Sequence, residues 1–357
     1  FHYFMSDLLK KLKDLTMLDG VSGQEKQVNK YIKENVEKIS DKIEHDNLGS
    51  LIASKGLNGP KIMLAGHVDE IGLMVTEITK EGFVKFQPLG GWYTGVMLAQ
   101  KWKIHTKKSV ITAITGAKPP HILPFSERSK IPEMKTLFLD LGVYNKEEAE
   151  KLGVKIGDMI TPYSEFELLA NQDFIVAKAL DNRVGALVVM QVLEKLKNNP
   201  NQFYGTFTVQ EEVGLRGATT SANKIKPVVA IAVDTGVADD SPGDLNASNR
   251  VLGKGPQISY YDYGLIAHKE LRESLIQTAI ENNIPFQEPK PTGGETDASA
   301  MHLQNEGAAS VVISIPTRYI HSHTSVINKK DIEYTIELLT LFIQKLDDQK
   351  VKEILFS

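Results

Sequence analysis

The stretch Lys61-Ile62-Met63-Leu64-Ala65-Gly66-His67-Val68-Asp69-Glu70 joins an apolar run to a cluster of ionisable side chains. Residues 61–66 have the length and composition of a buried strand, which favours a parallel sheet. His67 and Asp69 are two residues apart, so on an extended chain their side chains share one face. A metal-binding histidine with a carboxylate behind it fits this spacing. Taken alone, however, a surface histidine beside an acidic turn explains the segment better.

Around this strand, the chain predicts an α/β fold in two parts. Residues 71–163 consist of short β-like runs separated by turns rich in Gly and Pro, with one short helix near residues 146–152. This texture predicts a small β-barrel-like domain inserted into a larger α/β domain of residues 5–70 and 164–357. In the larger part, helices alternate with apolar strands. That alternation predicts a mixed, mostly parallel sheet covered by helices on both faces.

Apolar periodicity places the elements of the larger part. Two helices are expected in the first forty residues, with Ser22 or Gly23 capping the second and Glu25 in its first turn. The strands are expected near residues 42–54, 61–66, 205–210, 228–233 and 309–315. The later helices are expected near residues 183–196, 215–223, 267–282 and 331–347.

The composition argues against several classes of protein. The net charge of −4 over 357 residues, without a long basic cluster, argues against a nucleic-acid partner. No apolar run reaches the ~18–20 residues of a membrane span, and no secretory signal is recognised, so we expect a cytoplasmic protein with no membrane partner. Because the chain has no cysteine, a bound metal must use His and carboxylate ligands. Residues 1–4 precede Met5 and are predicted to be a cloning remnant.

Two further carboxylate segments follow the first motif. Asp181 precedes a predicted helix, where it could either cap that helix or bridge two cations with its two oxygens. Glu211 and Glu212 end an apolar strand, where two adjacent buried carboxylates are costly unless they have partners. A turn follows them at once, so both can reach one cleft. One could then bind a metal while the other moves protons.

Two more segments follow apolar strands. Asp234 closes one strand, and the loop after another carries His321 and His323, either of which could face the cleft. Ligands gather at the carboxyl ends of strands in open α/β sheets. Two histidines and several carboxylates at these ends predict a site for two divalent cations, with zinc or cobalt preferred and manganese an alternative.

Two other functions are compatible with parts of this pattern. A glycosidase could use Glu211 and Glu212 as an acid/base pair, but His67, Asp181 and Asp234 would then have no role. A catalytically silent scaffold would be expected to lack a ligand or the base. A metal-dependent hydrolase therefore accounts for more of the sequence.

From Met5 to about Leu346, the chain resembles the tetrahedral aminopeptidase and glutamyl aminopeptidase family of dimetal metallopeptidases, some of which carry older cellulase or endoglucanase labels. The matching stretches are residues 20–25, 67–72, 119–121, 179–185, 210–218, 233–236, 253–256, 296–298 and 316–322. The resemblance implies an aminopeptidase that removes N-terminal residues from short peptides. It also implies that the inserted part mediates dimerisation and that the dimers assemble into a dodecamer.

The resemblance also implies a role for each site residue. One metal would be held by His67, Asp181 and Asp234, and the second by Asp181, Glu212 and His321, with Asp181 bridging. Glu211 would be the general base, and Asp69 would orient His67. In this family a proline is more usual at the position of His323, and the preceding Arg-Tyr-Ile favours His321 as the ligand.

Overall fold

The computed structural model describes residues 6–242 and 249–356. The predicted cloning remnant at residues 1–4 lies outside this range. Within it, helices and strands alternate along most of the chain, and the strands form three sheets. The larger sheet and its helices carry the residues of the predicted metal site.

Most helices of the described chain lie close to where the sequence predicts them, whereas the last one, at residues 348–356, is not predicted. They are α1 (Asp7–Met17), α2 (Lys26–Val36), α3 (Lys146–Lys151), α4 (Leu180–Lys195), α5 (Arg216–Ile225), α6 (Lys269–Glu281), α7 (Asp297–Met301), α8 (Lys329–Gln344) and α9 (Asp348–Phe356). The predicted cap of α2 is wrong. Its N-cap is Glu25, whose side chain makes no capping hydrogen bond within the described chain because it is engaged elsewhere.

The strands are more numerous than predicted, and the two that end at residues 237 and 317 extend beyond their predicted ends. They are β1 (Lys42–His45), β2 (Leu51–Lys55), β3 (Lys61–His67), β4 (Gly72–Ile78), β5 (Val84–Leu89), β6 (Gln100–His105), β7 (Val110–Thr115), β8 (Met159–Pro162), β9 (Glu167–Leu168), β10 (Phe174–Ala177), β11 (Gln202–Thr208), β12 (Val229–Val237), β13 (Gln257–Ile258), β14 (Ala309–Thr317) and β15 (Ser325–Asn328). The single strand expected near residues 42–54 is wrong, because Asp46 accepts three backbone N–H groups and forms a turn there.

The central sheet has the order β1-β2-β11-β3-β12-β14-β13. Its middle four strands, β11, β3, β12 and β14, are mutually parallel, whereas β1, β2 and β13 pair antiparallel at the edges. The sheet is therefore mixed and mostly parallel, as predicted. Since parallel strands end at one edge, the residues after these four strands are brought together.

Alternate residues of the central strands lie in two separate apolar clusters. In β3, Ile62 and Leu64 pack with residues of α1, α2, α4 and α8. Met63 and Ala65 pack instead with residues of α5 and α7. Burial of both sets of side chains explains why β3 reads as a continuous apolar run rather than an alternating one.

Residues 72–162 form a second, antiparallel sheet with the order β5-β4-β8-β6-β7. It has its own apolar cluster, which includes Leu73, Trp102 and Ile104. Two of its strands, β6 and β8, are not predicted from the sequence. Lysines alternate with apolar residues in β6, and β8 is only four residues long and ends at Pro162, so neither gives a clear apolar signal. This sheet contacts the site through the loop at Gly91.

None of the helices within residues 6–242 and 249–356 combines the length and the apolar character that crossing a membrane requires.

Candidate metal centre

The side chains predicted as ligands and base meet at the carboxyl edge of the central sheet. His67 is the last residue of β3, and Asp234 lies near the end of β12. The others come from the start of α4, from the turn after β11 and from the loop after β14. Together they line one cavity of about 660 Å³: His67, Asp181, Glu211, Glu212, Asp234 and His321.

Asp181 lies at the centre of this cluster. Its backbone angles are not helical, although the residue falls at the start of α4, and the Asp181–Asn182 peptide bond is cis. The two carboxylate oxygens face different histidines. Oδ1 is 3.1 Å from Nε2 of His67, and Oδ2 is 3.1 Å from Nε2 of His321.

Each histidine has a further carboxylate beside it. Nε2 of His67 is 3.7 Å from Oδ1 of Asp234, and Nε2 of His321 is 3.3 Å from Oε1 of Glu212. Two groups of three possible ligands therefore share Asp181, and in each group the ligand atoms lie within 4.8 Å of one another. A third such group joins His67 to Glu211 and Glu212.

The donor set fits two divalent cations. Atoms bound to one tetrahedral ion at ~2.0–2.2 Å are roughly 3.3 Å apart, close to the 3.1–3.7 Å separations seen here. Oε1 of Glu212 is buried and receives no well-directed hydrogen bond from any residue that the structure describes. Several clustered carboxylates also repel one another unless cations neutralise them.

The electrostatics of the cluster follow from this crowding. Burial raises the pKa of Glu211 well above its usual range, and the nearby charges of Glu212 and Asp234 raise it further. Burial lowers the pKa of His321, but the carboxylates of Asp181 and Glu212 outweigh it and bring the pKa to about 11. Without a cation, His321 therefore carries a proton, which a metal ion must displace on binding.

Asp69 lies behind the cluster, is fully buried and makes more contacts than the spacing predicts. Its Oδ1 is 3.3 Å from Nδ1 of His67, on the ring nitrogen that faces away from the cavity. Its carboxylate also accepts the backbone N–H groups of Glu211 and Glu212, at 3.0 and 3.1 Å. Asp69 is thus in contact with a candidate ligand and with the turn that carries the candidate base.

The two histidines left open by the sequence have different surroundings. His321 faces Asp181, while its Nδ1 lies 2.7 Å from the carbonyl oxygen of Gly91. His323 points away from the cluster and packs edge-on against Trp102, with its Nε2 2.8 Å from the carbonyl oxygen of Lys101. The structure brings His321, and not His323, to the candidate metal centre.

Most of the chain matches a known protein family. Residues 49–338 match the family model described as M42 glutamyl aminopeptidase. The chain belongs to the M42 glutamyl aminopeptidase family. The family predicted from the motifs is confirmed, and the chain is a hydrolase that acts on peptides.

Two relatives of this M42 peptidase show how closely it follows the family. The glutamyl aminopeptidase of Lactococcus lactis subsp. cremoris is 37% identical, covering 98% of this chain and 99% of the relative. The lysyl aminopeptidase of Pyrococcus furiosus is 33% identical, covering 95% and 97%. The two names differ in the residue removed, although both relatives align over almost their whole length.

Solved structures extend the comparison. The TET aminopeptidase of the archaeon Thaumarchaeota archaeon SCGC AB-539-E09 superposes with a TM-score of 0.94 at 41% identity, covering 97% of this chain and 99% of that one. A TET1 peptidase of Pyrococcus horikoshii, described as assembling into a tetrahedron or a large octahedral shell, gives 0.86 at 31% identity and covers 95% and 100%. A Thermotoga maritima structure described as an endoglucanase gives a TM-score of 0.76 at 32% identity, covering 96% of this chain and 98% of that one.

Near this M42 site lie buried charged residues to which the sequence alone assigns no role. Glu70 lies 2.8 Å from Nζ of Lys178 and 3.5 Å from the guanidinium of Arg183, and all three side chains are buried. Asp297, within the matching stretch 296–298, is buried and accepts the hydroxyl of Thr208. A charged residue beside an apolar strand signals a buried partner, but the identity of that partner depends on the fold.

Proposed function

We propose that this M42 peptidase removes N-terminal residues from short peptides at a centre of two divalent cations, with Glu211 as the general base. The observation that carries the proposal is Asp181, whose two oxygens each lie 3.1 Å from a different histidine. A carboxylate in that position can bridge two cations. His67 and Asp234 would complete one ligand set, and Glu212 and His321 the other.

Bound cations would lower the pKa of an attacking water and polarise the peptide carbonyl. Zinc, cobalt and manganese all accept this set of nitrogen and oxygen ligands. The cations do not transfer the proton, and a side chain of the protein would do so. Glu211 lines the same cavity and is not needed in either ligand set that shares Asp181. It would accept the proton of the water and deliver it to the leaving amine.

Asp69, on the side of His67 away from the cavity, would support both metal binding by His67 and proton transfer by Glu211. It contacts His67 at 3.3 Å and would fix the orientation and basicity of that ring. Hydrogen bonds from the backbone of Glu211 and Glu212 to the same carboxylate keep the turn in register with β3.

The proposal is tested with Glu211→Gln. We expect kcat to fall by about 10²–10⁴-fold on a panel of aminoacyl substrates, while two metal ions per chain are retained, because the amide cannot accept the proton. The panel should include glutamyl and lysyl substrates, since both appear among the relatives. Glu212→Gln is the contrasting variant, for which we expect a metal ion to be lost. Wild-type turnover by Glu211→Gln with both metals bound would contradict the assignment of the base.

The structural match to a protein described as an endoglucanase gives a second candidate, glycoside hydrolysis by Glu211 and Glu212. A chelator separates the two activities. We expect aminopeptidase activity to disappear on metal removal and to return when zinc, cobalt or manganese is added. Hydrolysis of a β-glucan that persists in the chelated protein would instead support the glycosidase.

We also propose that the chain forms a homo-oligomer, with dimers made through residues 71–163 and a dodecamer built from them. Support comes from the Pyrococcus horikoshii TET1 peptidase, described as assembling into a tetrahedron or a large octahedral shell, and from a second solved structure, PhTET1-12s, described as a dodecamer. In the five-stranded antiparallel sheet of residues 72–162, β7 is an edge strand on which Val110 and Ile114 are exposed. Light scattering is expected to give the mass of twelve chains. Such a shell would restrict entry to short peptides, and we place it in the cytoplasm.

A further inference from the structure

The turn that carries Glu211 and Glu212 is held by carboxylates from distant parts of the chain. Three successive backbone N–H groups, those of residues 210, 211 and 212, each donate to a carboxylate oxygen. Gln210 donates to Oε1 of Glu25 at 3.0 Å, and the next two donate to Asp69 at 3.0 and 3.1 Å. Because Asp69 also contacts His67, its place in the site is already explained. The role of Glu25 is not.

The side chain of Glu25 accepts hydrogen bonds from the backbone of Gln210 and of its own loop, and it does not cap its own helix. It is 4% exposed, and the same Oε1 that accepts Gln210 also accepts the N–H of Gly23 at 2.8 Å. The neighbouring Ser22 donates its hydroxyl to Oδ2 of Asp69 at 2.6 Å. The loop of residues 22–25 therefore forms, with Asp69, a frame behind the turn.

The turn needs such a frame because its first residue is strained. Gln210 has a φ of 54°, in the left-handed region that a side chain with a Cβ atom disfavours. Glu211 follows directly, so relaxation of Gln210 would rotate the peptide that sets the direction of the Glu211 side chain. The candidate metal ligands other than Glu212 do not depend on Gln210, because they are attached to β3, α4, β12 and the loop after β14. Glu212 keeps its own bond to Asp69.

We infer that Glu25 is a positioning residue for catalysis, which holds the N–H of Gln210 and thereby places the carboxylate of Glu211 over the cavity. This inference rests on the proposed role of Glu211 as the base. Burial and the charge of Asp69 raise the pKa of Glu25 to about 7, but its Oε1 can accept both hydrogen bonds in either protonation state. A glutamine offers the same acceptor, whereas an alanine offers none.

The test compares Glu25→Ala with Glu25→Gln, and uses Glu34→Ala, an exposed glutamate on the same helix, as the matched control. For Glu25→Ala we expect kcat to fall about 10–100-fold, because a misplacement of about 1 Å can cost ~10²-fold. We expect KM within about threefold of the wild type and two metal ions per chain. Glu25→Gln should restore kcat to within about threefold, and the control should match the wild type. If Glu25→Ala does not fold, Glu25→Leu fills the same volume without an acceptor.

Three outcomes would overturn the inference. These are a wild-type kcat in a folded variant without the acceptor, an equal loss in the glutamine variant, or loss of the metals together with activity. Crystal structures of Glu25→Ala and Glu25→Gln provide a readout that does not depend on turnover. We expect the Glu211 carboxylate to be displaced from the ligands only in the alanine variant. If Glu211→Gln proves fully active, the proposed base fails, but this structural comparison still decides whether Glu25 sets the position of residue 211.

Discussion

At the scale of single residues, the loop after β14 carries two histidines. Residue type alone favours neither as a ligand, whereas the family resemblance favours His321. His321 has a φ of 61°, which turns the backbone so that its ring reaches Asp181 while its other nitrogen faces Gly91. His323, two residues later, is 2% exposed and packs against Trp102. His321 faces the candidate metal centre, and His323 attaches the loop to the inserted sheet.

The pair His321→Ala and His323→Ala tests this separation. We expect His321→Ala to bind one metal ion fewer per chain, because Asp181 and Glu212 alone leave that group without its nitrogen ligand. His323→Ala should keep both metals but lose about 1–3 kcal/mol of unfolding free energy, since a buried ring and its bond to the Lys101 carbonyl are removed. Elemental analysis and urea unfolding measure the two effects. Equal metal loss in both variants would contradict the assignment.

At the scale of secondary-structure elements, α4 approaches the central sheet through glycine. A Cβ atom on Gly185 would lie 2.6 Å from the carbonyl oxygen of Val233, and one on Gly66 would lie 2.7 Å from the backbone of Gly185. Asn182 donates its side-chain N–H to the same Val233 carbonyl at 2.8 Å. The close packing of helix on strand thus fixes the segment that carries Asp181.

Gly185→Ala is expected to push the start of α4 away from β12. We expect a loss of about 1–3 kcal/mol in unfolding free energy, as for other overpacked cores, together with weaker metal binding because Asp181 moves with the helix. Gly116→Ala is the matched control, since a Cβ atom there meets nothing within 4 Å. Denaturant unfolding and metal titration give the two readouts. A variant as stable as the control, with unchanged metal affinity, would show that the packing tolerates the methyl group.

At the scale of the whole molecule, Asp19 links the α/β part to the inserted sheet behind the site. It lies 3.1 Å from Lys178 of the α/β part, and 3.2 Å from Lys103 of the inserted sheet. It also accepts the hydroxyl of Thr161 at 2.9 Å. Burial opposes ionisation of this carboxyl, but Lys178, Lys103 and His105 outweigh it and lower its pKa from 3.8 to about 2.

This shift predicts how stability depends on pH. A carboxyl with a lowered pKa in the folded state stabilises the fold above its unfolded pKa near 4, and the contribution disappears as the pH falls towards 2. The ionised Asp19 carboxylate contributes about 2 kcal/mol to the free energy of unfolding. We expect Asp19→Asn to be less stable by about this amount at pH 7, and the difference from the wild type to shrink as the pH falls from 5 to 3. Urea unfolding across this range measures it, with Asp7→Asn, an exposed carboxylate, as the control. A difference independent of pH would exclude the ionised form as the cause.

The sequence by itself determined the family, the mostly parallel sheet and the identity of the residues that meet at the site. The sheet and the meeting of these residues could be predicted because apolar runs report buried strands, and because strands of a parallel sheet bring their carboxyl ends to one edge. The family was recognised from the resemblance of its motifs. The turn at Asp46 and the strands β6 and β8 depended on local hydrogen bonds and on short polar-apolar runs that leave little trace in composition. The choice of His321 over His323 came from the family resemblance.

Only the tertiary structure showed that Glu25 bonds the backbone of Gln210, 185 residues later, and that Asp69 contacts both His67 and the turn after β11. These contacts join segments that no periodicity relates. A carboxylate can accept any N–H group that the fold brings within reach, so its partner is set by the relative placement of elements. Residue type identified the chemistry of this protein, whereas packing decided which atoms carry it.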